Sequence, residues 1–453
     1  MKKISIIALL TVLGILFTAV SPAFAQLGQT DTSSFTVQNV DSVDAIVTIH
    51  FFNDAGDEFT PTELNAGQTN PFTLTPGTSW EIYVPAIPEA QLPSGRYSVM
   101  IESSARVATI ANLLGSGTRY FNGSYAGFSS SAPTFYLPGV VFNYYGWYSL
   151  ISAQNVSDTA ADIDLTITCA DGTVGTLSAT GVEPFASHHF VLKEVTPTGF
   201  TASTKCNGSA VIQSTGNVVV TDNQSVPAYG NTQSYSGVAA GSAEVFIPAL
   251  YNAYYGWNGS LNIQKLGAGD TLVTVAYSDG GESTCALTDA IPSCLLYMPS
   301  VHPAHGYFGA IITNDAGLEL MVISNAANGR QAQTYNGVES GSLSVGVPSV
   351  MKLYYNWNTS FTCQNIGDVA TTLNISYSGH EGSAYNTPVL APGATLEKFQ
   401  PNEAFLPNGY RGAATVTANA AGSEIACIVN FNNAYQMSHT VGDWSMSYNA
   451  FNK

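Results

Sequence analysis

Seven histidines offer the first test for chemistry, because imidazole serves both as a metal ligand and as a general base. His188 and His189 are adjacent, so on a strand they would point to opposite faces and could not share a metal ion. His302 and His305 could hold one ion together, but no third ligand stands nearby at metal-ligand spacing. We therefore predict no metal site.

Other signatures of catalysis are missing from the sequence. It contains no Gly-X-Ser-X-Gly elbow and no glycine-rich phosphate loop. The acidic stretch 53–58 lacks the spacing of a calcium loop and is better explained as a hairpin turn. The paired carboxylates of a glycosidase leave no local signature, so a secreted hydrolase stays an alternative. The sparse charge and the repeated scaffold favour a protein that is not an enzyme and binds no cofactor.

Cysteines are the stronger candidates for covalent chemistry. An even number of cysteines in an exported chain predicts disulfides. The repeat boundaries given below place two cysteines in each of the last three repeats, and this selects one pairing. The predicted bonds are Cys169–Cys206, Cys285–Cys294 and Cys363–Cys427. The last of these replaces inward apolar residues and is expected to tie the two sheets of its repeat together.

The chain is built from sequence repeats, and these decide where the cysteines and histidines lie. Tyr-Tyr-Gly-Trp occurs at 144–147 and 254–257, and Tyr-Tyr-Asn-Trp occurs at 354–357. Each copy has a proline nine residues before its tryptophan and a glutamine seven residues after it, namely Pro138, Pro248, Pro348, Gln154, Gln264 and Gln364. Val37-Gln38-Asn39 marks a fourth copy near the start. After a signal peptide at 1–25 we expect repeats at 26–131, 132–241, 242–341 and 342–453.

Each repeat has the pattern of strands. Runs such as 45–51 and 271–277 alternate apolar and polar residues with many Val, Ile, Thr and Tyr, which is typical of half-buried strands. Asp-Gly turns follow them, and no segment keeps a helical period. About seven short strands per repeat predict an all-β protein of four tandem β-sandwiches, Ig-like in type, arranged as a rod.

Aromatic clusters lie where one predicted sandwich follows another. Aromatic side chains bury a large apolar area, so these clusters are expected to form the packed interface between consecutive sandwiches. The alternative is that they stack on sugars at an exposed surface. The residues concerned are Tyr145, Trp147, Tyr255, Trp257, Tyr355 and Trp357.

The amino-terminal residues predict export. Two lysines, an apolar run over 4–20 and Ala23-Phe24-Ala25 form a signal peptide with cleavage before Gln26, and an uncleaved anchor is the alternative. No second apolar run reaches spanning length, so no membrane span is expected after cleavage. The net charge of −18 repels nucleic acid and anionic lipid. We predict a secreted protein of the cell surface or the extracellular space.

The repeated motifs resemble a module found in secreted multi-repeat proteins of several bacterial lineages. The resemblance rests on Tyr-Tyr-Gly-Trp-Asn, Gln-Asn, Gly-Ala-Ala-Thr-Val and Tyr-Asn-Gly, and it covers nearly all of the predicted mature chain. It implies a cell-surface or extracellular role and transfers no catalytic residue. The start of the first repeat and the end of the fourth repeat depart from the pattern.

The tail suggests how molecules join. Gly442 aligns with Gly241 and Gly341, which puts Trp444, Met446 and Tyr448 in the register of a first strand, with Phe451 beyond them. In the first repeat that strand would fall inside the signal peptide and be removed. We therefore predict head-to-tail homopolymers, in which the tail of one molecule completes repeat 1 of the next. The alternative is that the tail folds back on its own repeat.

Together these patterns predict an extracellular structural protein, the subunit of a cell-surface filament or layer whose main partner is itself. The alternative function is that of an adhesin or carbohydrate-binding protein that uses its aromatic clusters on surface glycans.

Overall fold

The computed structural model describes residues 29–65, 67–117, 121–226, 230–380, 385–433 and 442–453, so the predicted signal peptide lies outside it. Strands dominate these residues, which confirms the all-β prediction. Helix within them is confined to α1 (Met298–Val301) and two short 3-10 turns at Val84–Ala86 and Gln400–Asn402. In the same ranges no helix has the length and apolar character needed to cross a membrane.

We call the residues of the four predicted repeats units 1 to 4. Unit 1 contains β1 (Gln29–Asn39), β2 (Ala45–Asn53), β3 (Glu58–Phe59), β4 (Phe72–Leu74), β5 (Ser79–Tyr83), β6 (Tyr97–Ser103), β7 (Val107–Gly117) and β8 (Phe121–Ala126). Unit 2 contains β9 (Ala132–Phe142), β10 (Tyr148–Asn155), β11 (Ala161–Cys169), β12 (Val174–Val182), β13 (Ser187–Val191), β14 (Cys206–Val226) and β15 (Asn231–Ser236).

The second half of the chain follows the same order. Unit 3 contains β16 (Glu244–Asn252), β17 (Asn258–Lys265), β18 (Thr271–Tyr277), β19 (Glu282–Leu287), β20 (Ser293–Tyr297), β21 (Gly306–Asn314), β22 (Leu320–Ala327) and β23 (Ala332–Asn336). Unit 4 contains β24 (Ser344–Lys352), β25 (Trp357–Asn365), β26 (Leu373–Tyr377), β27 (Tyr385–Asn386), β28 (Thr395–Phe399), β29 (Tyr410–Ala418), β30 (Ile425–Asn433), β31 (Ser445–Asn449) and β32 (Phe451–Asn452).

Unit 3 shows the common plan of two antiparallel sheets, in the orders β16-β21-β18-β19 and β20-β17-β22-β23. Alternation decides which side chains enter the core between them: Val273, Val275 and Tyr277 of β18 point inward and meet Leu261 and Ile263 of the facing sheet. In an immunoglobulin domain the first strand pairs with the second, whereas here it pairs with the sixth. The outer strands therefore do not follow the Ig-like order that we expected.

Units 2 and 4 repeat this plan, but unit 1 does not complete it. In unit 2 a single long strand, β14, serves both sheets: its first half pairs with β9 and β11, and its second half pairs with β10 and β15. In unit 1 the sheet β5-β1-β7-β8 is complete, while the facing sheet consists of β2 with β3, β4 and β6. Within the described residues no first strand lies on the outer edge of β6.

The four units close into a ring, so the prediction of a rod is wrong. Met321 and Ile323 of unit 3 enter the core of unit 2, and Ile428 of unit 4 enters the core of unit 3. Ile110 of unit 1 packs into the core of unit 4, which joins the two ends of the chain. A rod would need each unit to contact only its neighbours in sequence. Here the first and last units bury apolar surface against each other, and that stabilises the closed arrangement.

The last strand of each unit lies near the axis of the ring. Polar side chains link neighbouring units there: the Ser236 hydroxyl donates to the Ala126 carbonyl at 2.6 Å, and the Asn336 amide donates to the Ser236 carbonyl at 2.6 Å. The Asn449 amide donates to the Asn336 carbonyl at 2.6 Å. The ring closes where the Asn122 amide donates to the carbonyl of Asp443. These bonds replace water for polar groups that the ring buries.

The repeated glutamines mark contacts between units. Gln264 donates to the Ala210 carbonyl at 3.3 Å, Gln364 to the Ala310 carbonyl at 3.4 Å, and Gln38 to the Ala414 carbonyl at 3.4 Å. We count strand positions on the plan of unit 3, in which β16 is the first strand and β23 the eighth, so that β1 of unit 1 takes the second position. Each bond then runs from the second strand of one unit to the sixth strand of its neighbour. At the remaining interface, Gln154 donates instead within its own unit, to the Phe185 carbonyl at 3.1 Å. The interface between units 1 and 2 is therefore built differently.

The structure contains the three predicted disulfides, Cys169–Cys206, Cys285–Cys294 and Cys363–Cys427. The role predicted for the last bond is wrong, because Cys363 of β25 stands directly opposite Cys427 of β30 in the same sheet. Both positions face inward, and this is why the sequence pattern could not tell a bond across the core from a bond along one sheet. The bond that joins two sheets is Cys285–Cys294, which links β19 to β20.

The tail lies on its own unit, so its predicted register as a first strand is wrong. β31 pairs with β30 as the last strand of unit 4, and Tyr448 takes the place that Tyr335 has in unit 3. The tyrosine hydroxyls act alike: Tyr448 donates to the Ser349 carbonyl and Tyr335 to the Ala249 carbonyl. First and last strands share the same alternation, so one glycine and three apolar residues could not separate them.

The rest of the tail is also paired within unit 4. Phe451 lies opposite Gly346 of β24, as Val338 lies opposite Phe246 in unit 3. Met446 lies in β31 and Trp444 immediately precedes this strand. The Trp444 ring stands 6.5 Å from the Trp357 ring of the same unit.

Candidate functional site

A cleft of about 2010 Å³ lies between units 1 and 2. At the other three interfaces the first strand of one unit fills this position, where it contacts the second and seventh strands of the next unit. Thus β9 contacts β17 and β22, β16 contacts β25 and β30, and β24 contacts β1 and β7. The cleft is therefore the place of a first strand for unit 1.

The lining of the cleft suits an extended strand. Val99 and Ile101 of β6 supply one wall, and Leu150 and Val219 of unit 2 supply apolar side chains on the other. The outer edge of β6 offers backbone groups that have no strand partner in the described part of unit 1. Such an edge is a template for pairing with another chain.

Tyr125 shows what the cleft lacks. The corresponding Tyr335 and Tyr448 each donate their hydroxyl to a backbone carbonyl of the first strand, one residue after its proline. Tyr125 instead lines the cleft. A strand placed there in the same register would bring a carbonyl to the Tyr125 hydroxyl, because the geometry of the other units would be repeated.

A chain of polar side chains crosses the rim of the cleft. The Ser152 hydroxyl lies 2.8 Å from Nδ1 of His189, and Nε2 of His189 lies 3.3 Å from the Asp54 carboxylate. Burial lowers the pKa of His189. Burial of Asp54 opposes its ionisation, but the hydrogen bond with His189 and the nearby positive charges, that of Arg96 among them, together outweigh this effect and hold the pKa of Asp54 below its usual range.

A hydrolase triad uses the same three residue types, but there the serine meets Nε2 and the aspartate meets Nδ1, the reverse of the contacts here. Sequence reasoning missed this chain because its members lie in two units. Its position indicates a structural role instead. His189 stands opposite Ser152 as Glu81 stands opposite Thr36 in unit 1, and Glu81 pairs with Arg411 of unit 4. Both interfaces thus use this strand position for a polar contact between units.

The histidines considered as metal ligands in the sequence have other partners in the structure. His188 packs its ring against Phe190, while His189 turns toward unit 1. His302 is buried and pairs with Asp279 at 3.0 Å. Across the described ranges no group of three or more His, Cys, Asp or Glu side chains is placed to hold an ion.

The Tyr-Tyr-Gly-Trp motifs of units 2 and 3 and the Tyr-Tyr-Asn-Trp motif of unit 4 form turns inside their own units. Their predicted role, to form the interface between consecutive sandwiches, is therefore wrong. In unit 2 the backbone N–H of Trp147 donates to the Tyr144 carbonyl at 2.9 Å, and the turn carries the chain from β9 to β10. Its central residues, Tyr145 and Gly146, both have positive φ, at 51° and 81°. This is a two-residue turn of type I′.

The second tyrosine of each motif points into solvent. Tyr145, Tyr255 and Tyr355 are 83%, 87% and 80% exposed. The tryptophans are half-buried and contact their own units: Trp257 lies 6.4 Å from Tyr251, and Trp357 lies 6.3 Å from Phe431. Sequence alone could not separate these roles, since neighbouring aromatic residues in a turn have opposite directions.

Trp257→Ala tests the local role of the tryptophan. We expect a loss of about 2 kcal/mol in the free energy of unfolding, less than for a fully buried ring, because Trp257 is half-buried. The contact between units 2 and 3 should persist, since the ring packs within unit 3. Urea unfolding gives the stability, and hydrogen exchange at β9 and β17 reports the contact between the units. Increased exchange confined to that interface would contradict the assignment.

No protein-family model matches the chain, and no curated protein matches its sequence at a significant level. The resemblance to secreted bacterial repeat modules therefore stays a prediction.

Proposed function

We propose that the protein is a non-enzymatic, extracellular structural protein that assembles with further copies of itself by strand addition at β6. The observation that carries this proposal is the outer edge of β6, which pairs with no other strand among the described residues and lies beside a cleft shaped for one strand.

An extracellular location is supported by the disulfides. All six cysteines are paired, and Cys363 and Cys427 are buried within unit 4. Disulfides of this kind form and persist in oxidising compartments. The predicted signal peptide points the same way.

The spacing of the repeat motifs supports the view that the missing strand in the cleft comes from another molecule. Pro22 lies sixteen residues before Gln38, as Pro138 lies sixteen residues before Gln154, so residues 16–26 have the spacing of a first strand. Cleavage before Gln26 would remove all but the last residue of this segment and leave the edge of β6 open. An open edge with an apolar wall favours pairing with another chain.

The mode of assembly differs from the one predicted from the tail. The tail is paired with β30 and β24 of its own unit, so the donor is another extended segment of a neighbouring copy. An edge on one molecule and a donor on the next form a heterologous contact. Such contacts propagate into fibres or layers when they do not close.

Val99→Lys tests the acceptor edge in the secreted protein that starts at Gln26. Val99 is half-buried on the wall of the cleft, and an inward charge on an edge strand opposes strand addition. We expect the parent protein to form oligomers that grow with concentration and the variant to stay monomeric. Light scattering after size exclusion and electron microscopy measure this. Val43→Lys, at an exposed site outside the cleft, is the control.

A peptide gives an independent test that needs no substitution. A synthetic copy of residues 132–142, the first strand of unit 2, should occupy the cleft and reduce assembly when added in excess. A peptide of the same composition in scrambled order should have no effect. If the parent protein stays monomeric at every concentration, or if Val99→Lys assembles like the parent, the proposed function is wrong.

A further inference from the structure

We infer that Tyr145, Tyr255 and Tyr355 form three equivalent binding sites for an uncharged polysaccharide. This inference concerns the hairpin turns of units 2 to 4 and is independent of assembly at β6.

Backbone conformation gives the first argument. A type I′ turn favours Asn-Gly or Gly-Gly, because residues other than glycine resist positive φ. The first central residue is nevertheless tyrosine in all three turns, at φ values of 51°, 48° and 45°. Asn356 takes the second position in unit 4 at 67°, where the other turns have glycine. Two residues earlier, positive φ also recurs, but there the residue type varies between Asn143, Ala253 and Leu353. A strained position that keeps the same side chain in all three turns indicates a functional constraint on that side chain.

The exposed rings are held in a common orientation. Each ring meets the preceding tyrosine edge to face, with centroids 4.8 Å apart in unit 2, 4.7 Å in unit 3 and 4.8 Å in unit 4. The inner ring is itself supported by its unit, since Tyr254 lies 5.7 Å from Tyr307. A ring fixed in this way loses little conformational entropy when it binds a ligand.

The chemistry of the turns favours a neutral sugar. An aromatic face packs against the C–H-rich face of a pyranose ring, and the phenolic hydroxyl offers a hydrogen bond at its rim. The protein carries a net charge of −18, which disfavours anionic polymers. Only 10% of its residues are charged, so ionic recognition has little support.

Three equivalent sites on one closed ring suit a polymer with repeated units. When one site is bound, the next site meets sugar at a high effective concentration, so the total affinity exceeds that of each site. A monosaccharide should therefore bind weakly. Unit 1 has no such turn in its sequence, which leaves three sites per molecule.

The test uses the secreted protein and its triple variant Tyr145→Ser/Tyr255→Ser/Tyr355→Ser. The matched control is Tyr83→Ser/Tyr297→Ser, which removes two tyrosines that are each 45% exposed and lie on strands. The probes are microcrystalline cellulose, chitin and starch granules in pull-down assays. Affinity electrophoresis in gels that contain dextran or alginate compares a neutral polymer with an anionic one.

We expect the parent and control proteins to bind at least one neutral polysaccharide, and the triple variant to bind about 100-fold more weakly. Single variants should lose less. The inference is overturned if no neutral polymer retains the parent protein, or if the triple variant binds as well as the control. Loss of self-assembly in the triple variant without loss of sugar binding would likewise overturn it. The triple variant should still self-assemble like the parent protein if the inference holds. A wrong inference about sugar binding can therefore be distinguished from a wrong proposal about strand addition at β6.

Discussion

Asp222→Asn should stabilise the protein by about 4 kcal/mol at pH 8 and have little effect at pH 4. Asp222 lies on β14 and is fully buried in unit 2. Burial raises the pKa of its carboxyl to about 7, although Ser149 and Gln224 each donate a hydrogen bond to it. Asparagine offers an oxygen to the same two donors without a charge.

The sign of the pH dependence follows from the raised pKa. Between pH 4 and pH 7 the native state holds a proton on Asp222 that the unfolded chain has lost, so native stability falls as the pH rises through this range. Asp443 acts in the same direction, because burial holds its pKa well above the usual range. Urea unfolding from pH 4 to pH 8 should show a steady decline in the parent protein and a shallower one in Asp222→Asn. Equal slopes would show that Asp222 does not carry this dependence.

Asp443→Ala should destabilise the ring by about 4 kcal/mol, because it leaves buried backbone N–H groups without an acceptor. The carboxylate of Asp443 accepts hydrogen bonds from the N–H groups of Thr232, at 3.1 Å, and Ala332, at 2.8 Å. It also accepts one from the N–H of Ser445 at 3.1 Å. One side chain of unit 4 thus holds units 2 and 3, while its backbone carbonyl holds Asn122 of unit 1.

The experiment on Asp443 separates ring closure from the stability of single units. In Asp443→Ala we expect lower stability, faster hydrogen exchange in β8, β15 and β23, and a larger radius of gyration by small-angle scattering. Asp443→Asn keeps an acceptor oxygen and should cost less than half as much. If Asp443→Ala unfolds at the parent's urea concentration with unchanged exchange, the carboxyl does not hold the centre of the ring.

Local patterns predicted the strands and the cysteine pairs. Alternation with period two gives the strand 271–277 because it reports only which face of a strand is buried, and β18 occupies those residues. Two cysteines in each of the last three repeats selected the disulfides by counting. The register of Gln38, Gln264 and Gln364 was visible in sequence, but their bonds to neighbouring units were not.

The sequence did not predict which way some side chains point or which distant residues they contact. Tyr255 and Trp257 lie two residues apart, yet one points to solvent and the other packs on its unit, because the type I′ turn decides where each side chain points. Tyr448 fits the alternation of a first strand and of a last strand equally well. Pairing with β30 settled the choice, and that contact lies outside any local pattern.

By itself the sequence determined an all-β chain with a fourfold repeat and its three disulfides, since these depend on periodicity and counting. The register of Pro22 and Gln38 also indicated that repeat 1 would lack its first strand. Only the tertiary structure decided that the units form a ring, that the tail pairs within unit 4 and that Asp443 links units 2 and 3 at the centre. Ile110 and Phe361 lie in one core although unit 1 and unit 4 stand at opposite ends of the chain. Such contacts depend on the angle at which each unit follows the last, and that angle is set by packing summed over many side chains.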